Sequence, residues 1–393
     1  MFLNSYFGKL SKPVASGIFI LITCIWLLTD RSLGLLWLFG AGFGIIMQRS
    51  RFCLAAPYRD LFLFRSTSLL KGLILILIIT TAGFAIIQFQ TIGFDSRLPS
   101  YFKPVGWFTV AGALLFGMGM VLAGACVAGS LVRLGEGHVL YVGVLAGVVA
   151  GSLVGAYHFG WWTHFAVQKL PRIFLPHLWG WSWAVGGQLV LLLGVFGLLS
   201  LYEIRKERQR EASSMVAAAS ESFTFKSLGR KPWPVWLGAV TLALLNILLL
   251  YVHGYPWCVA KVFTFIGGHI GQLLGLGVNK IYFFQLPFAR QFLQAGLLNN
   301  PIFVLDVGTV FGSFLAAVGT GEFRLRWVKI PRQALLAIAG GVLMGYGARI
   351  AMGCTVGAVL SGVSSMSLHG WLFMTFLFPG AYVGTRLLLR YLV

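Results

Sequence analysis

Five cysteines are the residues of this 393-residue chain with the clearest capacity for chemistry. They are Cys24, Cys53, Cys126, Cys258 and Cys354, and all of them lie in or beside apolar segments. Their number is odd, and neither a CxxC pair nor a Cys/His pair with zinc-ligand spacing occurs, which argues against a disulfide framework and against a zinc site. The sequence therefore predicts free thiols.

Two of these thiols occupy equivalent places in an internal repeat. Residues 111–129 align with residues 339–357 at a constant offset of 228, and eight of the nineteen positions are identical. The shared pattern is GxG, six residues, Cys and, three residues later, Gly, which places Cys126 and Cys354 at matching points. Duplicated halves are a common architecture of membrane transporters. The repeat therefore singles out these two cysteines.

Glycine-rich segments precede both repeated cysteines, at 117–119 and 345–347. Glycine allows close helix packing, and it also lowers the cost of unwinding a helix inside the bilayer. The uncharged run 104–132 is too long for one straight crossing and too short for two, and the run 350–385 likewise suggests paired short helices. We expect broken helices whose ends meet near the midplane, where free backbone N–H groups could hold an anion.

A thiol in apolar surroundings is a weak hydrogen-bond donor that stays neutral. A row of such thiols would offer donors to an anion without holding it tightly, and sulfur matches large, polarisable sulfur atoms better than oxygen does. The repeat favours this role for Cys126 and Cys354. Cys53 closes an apolar segment inside the basic stretch 48–53, and the role of Cys258 stays ambiguous.

Two cations inside apolar segments are candidates for drawing an anion inward. Arg349 lies five residues before Cys354, and Lys261 follows Cys258 by three residues. Intramembrane ionisable residues need partners or a wet cavity, and structural ion pairing is their default interpretation. We predict a substrate-binding role for Arg349 and Lys261.

The composition places the chain in a membrane. Of its residues 58% are hydrophobic and 10% are charged, whereas a soluble domain carries about 25% charged residues. Runs such as 72–94 contain no charged side chain and are long enough to cross the hydrocarbon core. The sequence predicts an all-α polytopic integral membrane protein with roughly nine to eleven transmembrane helices plus short re-entrant helices.

The charge pattern divides the chain. A net charge of +20 would suggest nucleic-acid binding in a soluble protein, but Lys and Arg that gather in loops on the cytoplasmic side explain it better. We predict two pseudo-symmetric halves, an N-terminal membrane repeat over 1–202 and a C-terminal membrane repeat over 232–393. A basic cytoplasmic linker over 203–231 joins them. The expected surroundings are membrane lipid, and no nucleic-acid partner is expected.

No catalytic pattern stands out in the sequence. It contains neither a P-loop nor an HExxH motif, and no Ser/His/Asp arrangement is visible. We therefore expect neither an enzyme nor a bound cofactor or metal.

Three cysteine motifs in this order resemble those of the YeeE/YedE family of sulfur-compound permeases. They are QRSRFC at 48–53, GACVAG at 124–129 and GCTVG at 353–357, and the resemblance spans nearly the whole chain. It implies a multi-pass protein of the bacterial inner membrane that imports thiosulfate or a related sulfur-containing anion. It also implies that Cys53, Cys126 and Cys354 pass the anion along a central path by S–H hydrogen bonds. Some relatives work with a small cytoplasmic sulfur-carrier protein of the TusA type, which makes such a protein a candidate partner.

Three alternatives stay open. The family is also similar to transporters linked to selenium metabolism, so the substrate could be a selenium compound. A membrane sulfurtransferase would form a cysteine persulfide and needs a thiolate near a cation, a setting that Cys53 has beside Arg49 and Arg51. A non-transporting scaffold is the third alternative, although it has no need for matched intramembrane thiols.

Overall fold

The computed structural model describes residues 2–92, 101–164, 170–211 and 232–392, and these residues form an all-α protein. The α-helices are α1 (Phe2–Thr29), α2 (Arg31–Ser50), α3 (Ala56–Leu63), α4 (Ser68–Ile92), α5 (Trp107–Leu122), α6 (Val127–Gly135), α7 (Leu140–Trp162), α8 (Leu175–Trp179), α9 (Trp181–Glu211), α10 (Val235–His253), α11 (Lys261–Leu273), α12 (Tyr282–Gln285), α13 (Pro287–Ala295), α14 (Pro301–Thr320), α15 (Pro331–Ile350) and α16 (Leu368–Leu392). A 3₁₀ turn covers Val278–Lys280, and a π-helix covers Thr355–Val363.

Nine helical stretches in the described part of the chain are long and apolar enough to cross a membrane. They are α2, α4, α5 continued by α6, α7, α9, α10, α14, α15 and α16. This confirms the predicted polytopic all-α fold, at the lower end of the predicted range of crossings. The short helices α3, α8, α11, α12 and α13 lie between the long ones.

The predicted linker over 203–231 is only partly described, because residues 212–231 lie outside the described ranges. Its first residues are helical, since α9 continues to Glu211. Glu203 forms an ion pair with Lys71 near the start of α4, and the backbone N–H of Trp233 donates to the carbonyl oxygen of Arg49 at 2.8 Å. Both ends of the linker therefore meet the protein on the side where α2 ends. The division into halves at 202 and 232 stays a prediction.

Both glycine-rich segments are followed by a break in the helix, as predicted. α5 ends at Leu122 and α6 begins at Val127, while α15 ends at Ile350 and the π-helix begins at Thr355. The expectation of two short helices over 350–385 is half wrong, because the π-helix is short but α16 has 25 residues.

The chain turns at equivalent positions of the two breaks. Gly124 and Met352, which are 228 positions apart, both have left-handed backbones, with φ of 76° and 52°. This region favours glycine, so the surroundings must hold Met352 there. The hydroxyl of Tyr101 donates to the carbonyl oxygen of Met352 at 2.6 Å, which fixes the second turn.

α5 and α15 cross antiparallel at the centre of the molecule through glycines. A Cβ added to Gly112 would stand 2.6 Å from the carbonyl oxygen of Gly347, and one added to Gly119 would stand 2.5 Å from that of Gly340. The repeat makes Gly112 equivalent to Gly340 and Gly119 equivalent to Gly347, so a two-fold rotation exchanges the two contacts. An axis that relates two antiparallel spanning helices lies in the membrane plane. The repeat is therefore inverted.

α2 and α14 also pack with their backbones in direct contact. Gly40 faces the carbonyl oxygen of Leu305, and Gly312 faces that of Ala41, so closely that neither position has room for a Cβ. α10 packs on α4, and in each of these two pairs one helix precedes the linker and the other follows it. Small residues at the crossing of α2 and α14 let these two helices approach closely.

Candidate functional site

Cys126 and Cys354 each stand directly before a short helix that begins inside the protein. Cys126 precedes α6, Cys354 precedes the π-helix, and both are fully buried, with 0% and 1% exposure. The Cys126 sulfur accepts a hydrogen bond from the backbone N–H of Gly129 at 3.4 Å, and the Cys354 sulfur accepts one from Gly357 at 3.3 Å. The repeated C-x-x-G pattern is therefore the sequence signature of a helix start that is capped by sulfur.

Capping by sulfur determines what each thiol can still do. The first backbone N–H groups of a helix have no partner within the helix, and the sulfur satisfies one of them through a lone pair. The S–H hydrogen is left free to donate to another acceptor. The positive end of the helix dipole lies at the same place, so each helix start favours a negatively charged guest.

Cys53 joins Cys126 from the connection between α2 and α3. The two sulfur atoms are 3.9 Å apart, and Cys53 is partly exposed whereas Cys126 is buried. Gly129 makes the approach possible, because a Cβ at that position would stand 2.5 Å from the Cys53 sulfur. Two of the predicted site residues are thus brought together.

The two broken helices meet at Thr355. Its side chain lies beside the Cys126 sulfur, and Thr355 directly follows Cys354 in the chain. A continuous row therefore runs from Cys53 through Cys126 and Thr355 to Cys354. Nothing in the sequence pairs Cys126 with Thr355, because the two residues come from different halves of the chain.

Arg349 is a buried cation, with 8% exposure. Its guanidinium lies over the rings of Phe283 and Phe159, with 4.3 and 5.3 Å from Cζ to the ring centroids. Its Nε has no hydrogen-bond partner among the residues that the structure describes. Aromatic faces stabilise a desolvated cation without neutralising it, so the charge of Arg349 stays available to an anion.

Lys261 and Lys103 complete a cluster of three cations with Arg349. The Lys261 Nζ lies 4.9 Å from the ring centroid of Phe288, and Lys103 lies within electrostatic range of both Lys261 and Arg349. Within the described ranges, none of the three makes an ion pair with a carboxylate. Lys103 was not predicted from the sequence, because it is a lone cation at the edge of an apolar run and belongs to no repeat or motif.

An open cavity of about 400 Å³ reaches Cys53 at the opposite end of the row. Its charged wall residues are Arg51, Arg133, Glu136, Glu322, Arg324 and Arg326. Arg51 pairs with Glu322 at 3.1 Å, and Arg133 pairs with Glu136 at 3.4 Å. Four arginines against two glutamates leave this cavity basic.

Glu136 and His138 lie between the spanning segments, in the connection from α6 to α7. Partial burial raises the pKa of the Glu136 carboxyl above its ordinary value, although Arg133 lowers it. Burial, together with Arg133 and Arg326, lowers the pKa of His138. Arg326 donates to Nε2 of His138 at 2.7 Å, which fits a neutral imidazole, so the arginines set the positive charge of the cavity.

A family model described as sulphur transport matches residues 49–383, a range that includes all three motif cysteines. The chain belongs to this family. The resemblance inferred from the cysteine motifs is thereby confirmed, and the inverted repeat and broken helices described above are those of a sulphur-transport family member.

Two named relatives match most of this chain, and a third matches less than half of it. The thiosulfate transporter TsuA of Escherichia coli (strain K12) is 27% identical over 362 residues, which are 88% of this chain and 92% of the relative. The thiosulfate transporter TsuA of Spirochaeta thermophila is 29% identical over 369 residues, which are 90% and 98% of the two chains. The probable transporter YedE of Escherichia coli (strain K12) is 33% identical over 177 residues, which are 44% and 41%.

In this member of the sulphur-transport family the predicted site residues fall into two groups. Cys53, Cys126 and Cys354 belong to the row of thiols, whereas Arg349 and Lys261 belong to the cation cluster. Cys24 lies on the exposed side of α1. The part that each residue plays in binding stays a prediction.

Proposed function

We propose that this protein imports thiosulfate, or a closely related small sulfur-containing anion, across the bacterial plasma membrane without changing it chemically. The observation that carries the proposal is the row of Cys53, Cys126, Thr355 and Cys354 where two broken helices meet. Membership of a sulphur-transport family supports transport. Two relatives named thiosulfate transporters support the choice of substrate.

The thiols bind the anion weakly, one after another. Cys126 and Cys354 each accept a backbone N–H through sulfur, and their S–H groups can still donate, so the anion meets weak neutral donors one at a time. Positive charge stands at the two ends of the row, in the cation cluster with Arg349 at one end and in the basic cavity at Cys53 at the other. This charge concentrates the anion at the mouths of the path without trapping it in the middle.

The orientation in the membrane follows from where the basic linker attaches. Lys206 donates to the carbonyl oxygen of Arg65 at 2.7 Å, and Glu203 pairs with Lys71, so the linker leaves the protein on the side of Cys53. Positively charged loops stay on the cytoplasmic side. The cavity at Cys53 therefore opens to the cytoplasm, and the cation cluster lies on the outer side.

Uptake of labelled thiosulfate into vesicles that contain the purified protein tests the proposal. We expect saturable uptake that unlabelled thiosulfate inhibits and sulfate does not. Inhibition by selenite stronger than by thiosulfate would favour the selenium alternative. Vesicles that take up no more thiosulfate than protein-free vesicles would contradict transport and favour a scaffold.

A membrane sulfurtransferase is the second candidate, and the surroundings of Cys53 favour it. Cys53 borders the cavity that Arg51 and Arg133 line, and nearby cations favour a thiolate. The thiolate would attack the sulfane sulfur of thiosulfate, form a persulfide on Cys53 and release sulfite. Mass spectrometry of the protein after exposure to thiosulfate separates the two functions, because a hydrogen-bonded relay leaves neither a persulfide nor free sulfite.

A small sulfur-carrier protein of the TusA type is the proposed recipient on the cytoplasmic side. The basic cavity mouth at Arg51, Arg324 and Arg326 is the surface that such a carrier would contact. Co-purification with the carrier tests this, and the charge reversal Arg324→Glu should weaken it.

A further inference from the structure

Cys258 repeats the local setting of Cys53. The sequences FCLA at 52–55 and WCVA at 257–260 share an aromatic residue, a cysteine, an aliphatic residue and an alanine. Each follows a long helix, α2 or α10, and precedes a shorter one, α3 or α11. Cys53 and Cys258 are 205 positions apart, whereas the offset of the repeat is 228. The offsets differ because 73 positions separate Cys53 from Cys126, whereas 96 separate Cys258 from Cys354. The difference in length hides the match from a search at one offset.

The segment around Cys258 is held against the π-helix that follows Cys354. The hydroxyl of Ser361 donates to the carbonyl oxygen of Trp257 at 2.7 Å. The Cys354 sulfur faces the backbone N–H groups of the two residues that follow Cys258. The thiols of Cys258 and Cys354 also lie within electrostatic range of each other. Cys258 therefore lies in the neighbourhood of Cys354, although the side chain next to Gly357 is that of Tyr101, where Cys53 is next to Gly129.

Polar and charged groups converge on Cys258, which is partly exposed. The Tyr101 hydroxyl lies beside its sulfur, and Lys103 and Lys261 lie within electrostatic range. Arg349 also lies within electrostatic range of Cys258. It is more than nine-tenths buried, and its Nε has no hydrogen-bond partner in the described part of the chain. An unsatisfied buried donor of this kind indicates a ligand that the protein is built to accept.

The acidic side chain of Asp306 lies near this cluster but does not neutralise the positive charge of the cations. Asp306 of α14 lies within electrostatic range of Cys258, and its carboxyl is buried without a hydrogen-bond partner among the described residues. In that part of the chain it forms no ion pair with the three cations. The surroundings of Cys258 therefore suit a small divalent anion.

We propose that Cys258 is the outermost thiol of the path, which takes the anion from the cations Lys103, Lys261 and Arg349 and passes it to Cys354. The inference rests on the proposed function and adds a fourth thiol to it. Three cations hold a hydrated anion at the mouth, and a neutral thiol beside them gives it the first donor that is not charged. Each half of the inverted repeat then supplies one thiol at a helix start and one in the connection after a long helix.

Uptake of labelled thiosulfate by the variant Cys258→Ala tests the role of the thiol. A hydrogen bond to an ion is lost, so we expect uptake at low substrate concentration to fall about tenfold. Cys258→Ser keeps a donor and should retain most of the uptake, and Cys24→Ala is the matched control because its thiol lies outside the path. Uptake by Cys258→Ala equal to that of Cys24→Ala, at equal amounts of protein in the vesicles, would overturn the inference.

A second measurement does not depend on folding of the alanine variant. A small, negatively charged methanethiosulfonate reagent is added outside cells that contain the natural protein and is washed away before uptake is measured. We expect mass spectrometry to locate the tag on Cys258. The tagged natural protein should lose thiosulfate uptake, whereas the variant Cys258→Ser should keep its uptake after the same treatment. A protein without the tag on Cys258, or a tagged protein with full uptake, would overturn the inference.

The two proposals fail in different ways. If the natural protein takes up no thiosulfate, the proposed function is wrong. If the natural protein and Cys24→Ala take up thiosulfate, Cys354→Ala does not, and Cys258→Ala is unaffected, the proposed function stands and the fourth thiol is wrong.

Discussion

Cys53 lies directly over Gly129, where its sulfur fills the space that a side chain at Gly129 would need. Gly129 also donates its backbone N–H to Cys126. One glycine thus sets the geometry of two thiols, since its amide orients Cys126 and its missing side chain admits Cys53 within 3.9 Å. The glycine in the C-x-x-G pattern is part of the site rather than a packing residue alone.

Substitution of Gly129 by alanine should therefore separate the two thiols. A Cβ there would push Cys53 away from Cys126, and we expect thiosulfate uptake to fall at least fivefold. Alanine is favoured over glycine in helices by roughly 0.5–1 kcal/mol, so loss of α6 is not the expected cause. Gly194→Ala is the control, because Gly194 lies in α9 with nothing within 4 Å of an added Cβ. Equal uptake by the two variants would contradict the role of Gly129.

Arg349 should act on substrate affinity through its charge. We expect Arg349→Gln to raise the KM for thiosulfate about tenfold or more, because a buried cation a few ångströms from an anion contributes at least about 1.4 kcal/mol. Arg349→Lys keeps the charge but not the planar contact with Phe283, so its KM should lie between those of the natural protein and Arg349→Gln. Initial rates of uptake over a range of concentrations give these values. A KM of Arg349→Gln equal to that of the natural protein would exclude an attractive role.

The crossing of α2 and α14 should tolerate no added methyl group. Gly312→Ala places a Cβ against the backbone of Ala41, and overpacking of this kind costs about 1–3 kcal/mol. Thermal unfolding in detergent should show a lower midpoint for this variant. Gly197→Ala in α9 introduces the same methyl group into open space and should leave the midpoint unchanged. Similar midpoints for the two variants would contradict the described crossing.

Glu136 should make stability depend on pH in a predictable direction. Its folded-state pKa is raised by burial, so the charged carboxylate destabilises the folded protein at neutral pH, and this penalty disappears as the pH falls below its ordinary pKa. We expect Glu136→Gln to be at least as stable as the natural protein at neutral pH. The difference should shrink as the pH is lowered towards 4.5. A variant that is much less stable at neutral pH would show that the pairing with Arg133 outweighs burial.

The sequence predicts the parts of this site that depend on local pattern. Runs without charge predict the crossings, and the shared spacing around Cys126 and Cys354 predicts two matched breaks at a helix start. Local pattern does not predict that α5 and α15 cross antiparallel, because this depends on contacts between glycines that are more than 200 positions apart. The inverted relation of the halves therefore required the structure.

Contacts between distant segments could not be predicted from the sequence either, because local pattern does not show which distant residues meet. Cys53 meets Cys126 only because the connection between α2 and α3 lies against the start of α6. Cys126 lies beside Thr355 only because both helices break. Lys103 joins Arg349 and Lys261 from a connection with no pattern of its own. The match of Cys258 to Cys53 is visible in the sequence, but it lies at a different offset because the two halves differ in length.

The most direct test of the thiol path is uptake of labelled thiosulfate into vesicles with equal amounts of four proteins. These are the natural protein and its variants Cys24→Ala, Cys126→Ala and Cys354→Ala. We predict that Cys24→Ala matches the natural protein and that the other two variants fall to the level of protein-free vesicles. Uptake by Cys126→Ala and Cys354→Ala at the natural rate would contradict the central claim that these thiols carry the anion.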